Sequence, residues 1–154
     1  REFFSLFPWE SLLKNLSKNP LTVVDIGARN FVFGPIIDET LRNQHREAHI
    51  HGIELDAHRL LWGFHSRADF GDFYARQMRS GFFHAMDFLT WSQPIDLALL
   101  LNPFVSEEPL LSWGLPLSKL KPYQLFEQAK KTLLPNRGIL ILSCPSPEIG
   151  RAHV

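Results

Sequence analysis

Three acidic residues lie near the ends of segments that the sequence predicts as buried strands. Asp25 is near the end of LTVVDIG, Glu54 near the end of HIHGIEL and Asp87 near the end of GFFHAMDF. Parallel strands place their carboxyl ends at one edge of a sheet, and open α/β sheets bind ligands at that edge. A carboxylate can accept charge-assisted hydrogen bonds from two adjacent hydroxyl groups. The spacing therefore predicts one ligand site that contains all three acids.

Five strand patterns alternate with helical patterns along the chain. The predicted strands are Leu21 to Ile26, His49 to Leu55, Gly81 to Phe88, Ile95 to Asn102 and Ile139 to Cys144. Such alternation is typical of an α/β protein with right-handed crossovers between parallel strands. We therefore expect a doubly wound parallel sheet with strand order 3-2-1-4-5 and helices on both faces.

Proline and capping residues mark where the helices should begin. One helix is expected from Pro8, one from Pro35 to about Ala48, one from Asp56 and one from Pro122. The helix from Asp56 should carry Leu60, Leu61 and Phe64 and break near His65, because Ser66 and Asp69 form a capping box for a second helical piece. Between Phe104 and Lys121 the sequence predicts a long connection, with a short helix capped by Ser106.

Composition predicts one domain and excludes several classes of partner. The 154 residues should form a capping helix (1–20), a core (21–144) and a tail (145–154). Sixteen basic residues balance sixteen acidic ones, which argues against nucleic acid as a partner. The longest apolar run, Ile95 to Leu101, is too short for the ~20 residues of a membrane span. A single cysteine, Cys144, favours a reducing compartment such as the cytoplasm.

The predicted fifth strand, 139–144, would leave an apolar edge without a neighbour. Native proteins seldom leave such an edge bare. We therefore expect a homodimer, another protein or a missing part of the chain to cover it. The chain does not begin with Met, so we interpret it as a processed or truncated piece.

Several charged and aromatic residues have two interpretations. Asp25 could bind loop amides, and Asp87 could cap the helix that follows its strand. Arg67, with Asp69, Asp72 and Arg76, is expected on a solvated helix face. Trp91, Trp113 and Phe104 would suit either an aromatic acceptor pocket or the core. The histidines show no spacing typical of a metal site, so no metal is predicted.

The segments VVDIG, GIEL, MDF, IDLALLLN and LLPNRGILIL resemble, in order and spacing, the class I S-adenosylmethionine-dependent methyltransferases. The resemblance covers Leu21 to about Cys144 and implies a Rossmann-like fold with S-adenosylmethionine as cofactor. It places Asp25 and Gly27 at the methionine part of the cofactor, Glu54 at the ribose hydroxyls and Asp87 at the adenine amino group.

Further site residues follow from the same resemblance. Leu55 and Phe88 adjoin two of the acids and are expected to contact the cofactor, as is Asn102 at the end of the fourth strand. Asn102, Pro103 and Phe104 stand where the family places substrate and catalytic residues, and they are the catalytic candidates. The family also adds a C-terminal β-hairpin after the fifth strand, which we expect to be missing here.

The first segment departs from the family pattern, acid-x-Gly-x-Gly-x-Gly. Arg29 and Phe31 occupy the second and third glycine positions. Their side chains would obstruct a ligand that approaches the backbone, unless the loop is reshaped. Arg29 is instead predicted to pair with the carboxylate of the cofactor.

Three functions are compatible with these features. The first is a methyltransferase that uses S-adenosylmethionine and an unknown acceptor, either a small molecule or a protein group. The second is an inactive methyltransferase-like module for interaction or regulation, which the substituted glycine loop and the bare edge would favour. The third is a nicotinamide dinucleotide oxidoreductase, against which the absence of Gly-x-Gly-x-x-Gly argues.

Overall fold

The computed structural model describes Phe4 and residues 7–143. Within this range five strands form one all-parallel sheet in the order β3-β2-β1-β4-β5, which confirms the predicted order. The strands are β1 (Leu21–Ile26), β2 (Ala48–Glu54), β3 (Gly81–Ala85), β4 (Leu97–Leu101) and β5 (Ile139–Ser143). The helices are α1 (Trp9–Leu13), α2 (Gly34–Asn43), α3 (Arg67–Ala75), α4 (Glu107–Ser112) and α5 (Pro122–Thr132).

The central strand β1 is buried along its whole length because helices cover both faces of the sheet. Alternate residues of a strand point to opposite faces, so the sheet supports two apolar cores. One contains Leu21, Val23, Ile37, Ile50, Leu97 and Leu99, and the other contains Val24, Ile26, Ile53, Leu100 and Ala129. The two cores fix where β1 ends, and thereby fix the position of Asp25.

β1 has its predicted range and β2 is shifted by one residue, whereas β3 and β4 are shorter than the sequence predicts. β3 ends at Ala85 rather than Phe88, because the Asp87 carboxylate caps a 3₁₀ turn, Phe88–Thr90, that leads away from the sheet. β2 ends at Glu54, which leaves Leu55 in the following turn. β4 covers only Leu97–Leu101 of its predicted range. The predicted end of the fifth strand, Cys144, and the tail lie outside the described residues.

The helix predicted from Asp56 to Phe64 is wrong. This segment forms turns and a 3₁₀ stretch, Trp62–Phe64, and its apolar side chains Leu60 and Phe64 are 64% and 92% exposed. Instead of beginning a helix, the Asp56 carboxylate pairs with Arg59 and Arg67. The predicted capping box is confirmed, since Ser66 and Asp69 exchange hydrogen bonds at the start of α3.

Two other helices differ from the prediction in extent. α2 ends at Asn43 rather than near Ala48, and His45 follows it with a φ of 56°. The long connection does contain the short helix α4 and a 3₁₀ turn, Leu117–Lys119. Ser106 occupies the N-cap position of α4, but its side chain makes no capping hydrogen bond, so that detail was wrong. In the described part of the chain, no helix has both the length and the apolar character that crossing a membrane requires.

The outer edge of β5 has no neighbouring strand in the described part of the chain. Among the described strands β5 pairs with β4 alone, and Leu142 is 44% exposed. We expect the 154-residue chain to associate at high concentration through this edge, and Leu142→Lys to reduce that association. Light scattering over a range of concentrations measures it. A wild-type chain that stays monomeric at the highest concentration would contradict the prediction.

Candidate functional site

A cleft of about 510 Å³ opens at the carboxyl edge of the sheet. Its volume falls in the range of ordinary ligand pockets, roughly 300 to 1,000 Å³. The sequence-predicted site residues that line it are Asp25, Gly27, Arg29, Glu54, Leu55, Asp87, Phe88, Asn102, Pro103 and Phe104. The fold thus brings together residues that are far apart in the sequence, although what each of them binds remains a prediction.

Asp25 is a buried acid whose side chain is incompletely satisfied. Its exposed fraction is 2%, and its Oδ2 atom has no hydrogen-bond partner in the described structure. Burial, together with the nearby Glu54 carboxylate, raises the pKa of Asp25 to about 7. An unpartnered buried oxygen is costly, so such an atom at the wall of a cleft is well suited to a cationic or hydrogen-bonding ligand.

The loop after β1 has positive φ at all three positions where the family pattern has glycine. Gly27, Arg29 and Phe31 have φ values of 74°, 56° and 59°, so all three adopt the left-handed conformation that glycine favours. A Cβ atom built on Gly27 would have no neighbour within 4 Å. The backbone at Gly27 is therefore open to close approach by a ligand, even though two of the three glycines are replaced.

The ring of Phe31 does not obstruct the cleft. It is fully buried beneath the loop, and a Cβ atom on Gly52 of β2 would lie 2.6 Å from its Cδ2 atom. The ring also packs at a centroid distance of 6.0 Å from Phe83 of β3. The predicted obstruction at the third glycine position is therefore wrong, because the glycine at position 52 leaves room for the ring inside the core.

Glu54 braces the loop as well as lining the cleft. Its Oε2 accepts a hydrogen bond from the Arg29 backbone N–H at 2.8 Å, and its Oε1 accepts one from the Asp56 N–H at 2.8 Å. The Arg67 guanidinium lies 3.5 Å from Oε1. Because a carboxylate offers about four acceptor positions, these contacts leave capacity for a ligand hydroxyl.

Arg67 belongs to the site, contrary to the solvated position that the sequence predicts. It is 5% exposed and pairs with both Glu54 and Asp56. Burial lowers the pKa of Arg67, while the two carboxylates oppose that shift. The capping box in the sequence could have indicated this position. It makes Arg67 the first residue of α3, where its side chain reaches the turn after β2.

Asp87 combines a structural contact with a free oxygen. Its Oδ1 accepts a hydrogen bond from the Leu89 N–H at 3.0 Å and so caps the 3₁₀ turn. Within residues 7–143, no hydrogen bond to its Oδ2 is present. The capping interpretation is thus correct, and one oxygen remains for a ligand in the cleft.

Trp113, in the long connection between β4 and α5, contacts two arginines from the opposite wall of the cleft. The guanidinium carbons of Arg29 and Arg67 lie 4.4 Å and 5.0 Å from its ring centroid, within the range of cation–π attraction. Phe104 packs against the same ring with a centroid distance of 5.7 Å. Phe104 and Trp113 therefore form an aromatic wall of the cleft.

Trp91 lies away from the cleft, so its place in an aromatic acceptor pocket is not supported. It is buried beside His51 and His84, at centroid distances of 5.2 Å and 5.5 Å. Desolvation, followed by the neighbouring His84 and His49, lowers the pKa of His51 to about 4. This cluster lies on strands β2 and β3, and the described residues contain no group of three or more metal-binding side chains.

Asn102 holds the end of β4 against β5. Its φ is 55°, its N–H donates to the Ser143 carbonyl oxygen at 3.0 Å, and its Oδ1 accepts from the Ser143 hydroxyl at 3.3 Å. These contacts place an exposed amide at the rim of the cleft, followed directly by Pro103 and Phe104. Lys119 and Lys121, which sequence reasoning did not single out, line the same cleft.

Known proteins were compared with the chain by family, by sequence and by structure. No family model and no curated protein sequence matches the chain. Similar solved structures include the plantazolicin methyltransferase BpumL, in complex with S-adenosylhomocysteine and a pentazolic desmethylPZN analogue. It is 18% identical, with a TM-score of 0.57, over 94% of this chain and 48% of that chain.

Two further structures widen the comparison. Phosphoethanolamine N-methyltransferase 1 of Haemonchus contortus is 16% identical, with a TM-score of 0.53, over 90% of this chain and 26% of that one. The [4+2]-cyclase SpnF is 13% identical, with a TM-score of 0.56, over 86% of this chain and 42% of that one. The chain thus spans less than half the length of each of these three proteins. At these identities the likeness concerns the fold, and the chain has the Rossmann-like fold of the class I S-adenosylmethionine-dependent methyltransferases.

Proposed function

We propose that this chain binds S-adenosylmethionine and transfers its methyl group to an acceptor. The observation that carries the proposal is the unpartnered, buried Oδ2 of Asp25, next to the open face of Gly27 in a cleft of about 510 Å³. The methionine part of the cofactor carries an ammonium group, and such an oxygen is suited to accept a hydrogen bond from it. The solved methyltransferases with this fold support the same assignment.

The other cleft residues fit the remaining parts of the cofactor. Glu54 has acceptor capacity left for a ribose hydroxyl, and Asp87 has an oxygen available for the adenine amino group. Leu55 and Phe88 supply apolar surface beside these acids. The guanidinium of Arg29 forms no ion pair in the described structure and would pair with the carboxylate of the cofactor.

The chain would contribute mainly by positioning the reactants. When bound, the cofactor supplies an electrophilic methyl group on a sulfonium. The Glu54 contacts hold the loop 27–31 in shape, and the rim residues Asn102, Pro103 and Phe104 border the space for an acceptor. Correct alignment of two reactants supplies much of the acceleration in such displacements, and a base is needed only for an acceptor that must lose a proton.

Thermal denaturation tests the proposal against its alternatives. At about 100 times its dissociation constant, S-adenosylhomocysteine should stabilise the chain by ~2.7 kcal/mol. For a domain of this size that raises the melting temperature by roughly 5 to 10 °C. NAD should leave the melting temperature unchanged. No shift with S-adenosylhomocysteine would refute the proposal, and a shift with NAD alone would favour an oxidoreductase.

The argument for an inactive module from the substituted glycine loop is weakened, because the ring of Phe31 packs into the core and only Arg29 of the two substituted residues lines the cleft. An inactive module would show no methyl transfer, and its melting temperature would not change with S-adenosylhomocysteine. A screen with tritiated S-adenosylmethionine and a panel of acceptors would separate it from the enzyme.

A further inference from the structure

The wall of the cleft beyond β4 differs in charge from the wall formed by Asp25, Glu54 and Asp87. Lys119 and Lys121 line the cleft there, and both are exposed. Neither lysine forms an ion pair with any residue in the described part of the chain. Two ammonium groups without an acidic partner create a positive potential that favours an anionic group at this wall.

No carboxylate from the connection opposes these lysines inside the cleft. The nearest acids in the sequence are Glu127 of α5 and Glu107 and Glu108 in the first turn of α4, and all three are exposed and do not line the cleft. α5 begins at Pro122, beside Lys121, and has no acidic residue in its first turn. Its helix dipole therefore adds to the positive potential that the two lysines create.

Apart from Asn102 and Ser106, the other residues that line this wall are mostly apolar. Phe104 and Trp113 form its aromatic pair, and the buried Leu110 and the half-buried Leu125 lie beside them. Ligand pockets commonly combine an apolar lining with a few polar groups that fix orientation. Here the charged groups beyond β4 are the two lysines, and the apolar lining suits a flat hydrocarbon body.

We infer that the acceptor is an apolar molecule with one anionic group, a carboxylate or a phosphate, held by Lys119 and Lys121 against the Phe104–Trp113 pair. This inference rests on the proposed function, because it treats the wall as the acceptor side of a methyltransferase cleft. The anion serves recognition, since it fixes the orientation of the apolar body beside Asn102.

Three probes with one hydrocarbon body test the inference by calorimetry with saturating S-adenosylhomocysteine. The probes are 1-naphthoate, 1-naphthyl phosphate and the neutral 1-naphthalenemethanol. We expect an anionic probe to bind at least tenfold more tightly than the neutral one, and Lys119→Gln/Lys121→Gln to remove that preference. Whichever anion binds more tightly identifies the anionic group.

A matched control uses two lysines in the last turn of α5. Lys130→Gln/Lys131→Gln removes the same charge from exposed lysines that do not line the cleft, so the preference for the anion should persist. Equal binding of neutral and anionic probes, or an equal loss in both double variants, would overturn the inference. Repeating the titrations without S-adenosylhomocysteine distinguishes a failure of this inference from a failure of the proposed function. The preference for the anionic probe can be measured even if S-adenosylhomocysteine does not bind.

Discussion

Replacing Asp25 with asparagine should weaken the binding of S-adenosylhomocysteine at least thirtyfold. The amide keeps the shape of the side chain but removes the charge that the ammonium group of the ligand would pair with. Losing one partner of a buried charge pair costs about 2 kcal/mol or more, which corresponds to that factor. Isothermal titration calorimetry at pH 8 measures the change.

The same substitution should change how affinity and stability depend on pH. Because the pKa of Asp25 is raised to about 7, the carboxylate that accepts a cation forms as pH increases through about 7. Wild-type affinity for S-adenosylhomocysteine should therefore rise between pH 6 and pH 8, whereas Asp25→Asn should show little change.

The contribution of Asp25 to stability should move in the opposite direction. The folded chain holds the Asp25 proton more tightly than the unfolded chain, so this contribution falls in the ligand-free wild type as pH rises from 3.8 to about 7. The lowered pKa of His51 acts in the opposite sense over the same range. The difference in stability between wild type and Asp25→Asn, measured by denaturant unfolding, isolates the contribution of Asp25 and should fall over this range. Parallel profiles for wild type and variant would contradict the burial argument.

Asp96 provides a matched control for Asp25. It is also buried, at 1% exposure, and its Oδ1 likewise has no hydrogen-bond partner in the described structure, but its Oδ2 accepts a hydrogen bond from the Thr22 N–H at 2.8 Å and it does not line the cleft. Asp96→Asn should alter stability without altering the affinity of the folded chain. A similar loss of affinity in both variants would mean that Asp25 acts through the fold alone.

Restoring the two missing glycines should destabilise the fold strongly at position 31 and only slightly at position 29. Phe31→Gly removes a fully buried ring, which costs about 3 to 5 kcal/mol, and recovers about 1 kcal/mol of left-handed strain. The melting temperature should fall by roughly 5 to 15 °C. This result is expected because Phe31 fills the space over Gly52.

Arg29→Gly should be nearly neutral by comparison. It relieves left-handed strain, loses a cation–π contact of about 0.5 to 1 kcal/mol and adds backbone freedom to the unfolded chain. The net change in unfolding free energy should stay within about 1 kcal/mol. If Phe31→Gly were as mild as Arg29→Gly, the ring would not be the core residue that the structure shows.

The arrangement of the sheet could be predicted from the sequence because each buried strand carries its own apolar run. The segment after Asp56 could not, because its apolar spacing fits a helix while the pairing of Asp56 with Arg59 and Arg67 stabilises turns. That competition involves a residue of the following helix, which local spacing does not reveal.

The candidate site was predictable in its acids and less so in its basic residues. Asp25 and Glu54 lie at the carboxyl ends of their strands and Asp87 lies just after β3, so topology brings all three to one edge. The position of Arg67 depends on the turn before α3. The packing of Phe31 depends on Gly52, and a glycine inside a strand was the available sign that another group approaches there closely.

A crystal structure of the chain with S-adenosylhomocysteine tests most directly whether the three strand ends build one ligand site. We predict the ligand in the cleft, with carboxylate oxygens of Asp25, Glu54 and Asp87 each within about 3.2 Å of a ligand nitrogen or oxygen. A ligand bound elsewhere, or one in the cleft that contacts none of the three acids, would contradict the account.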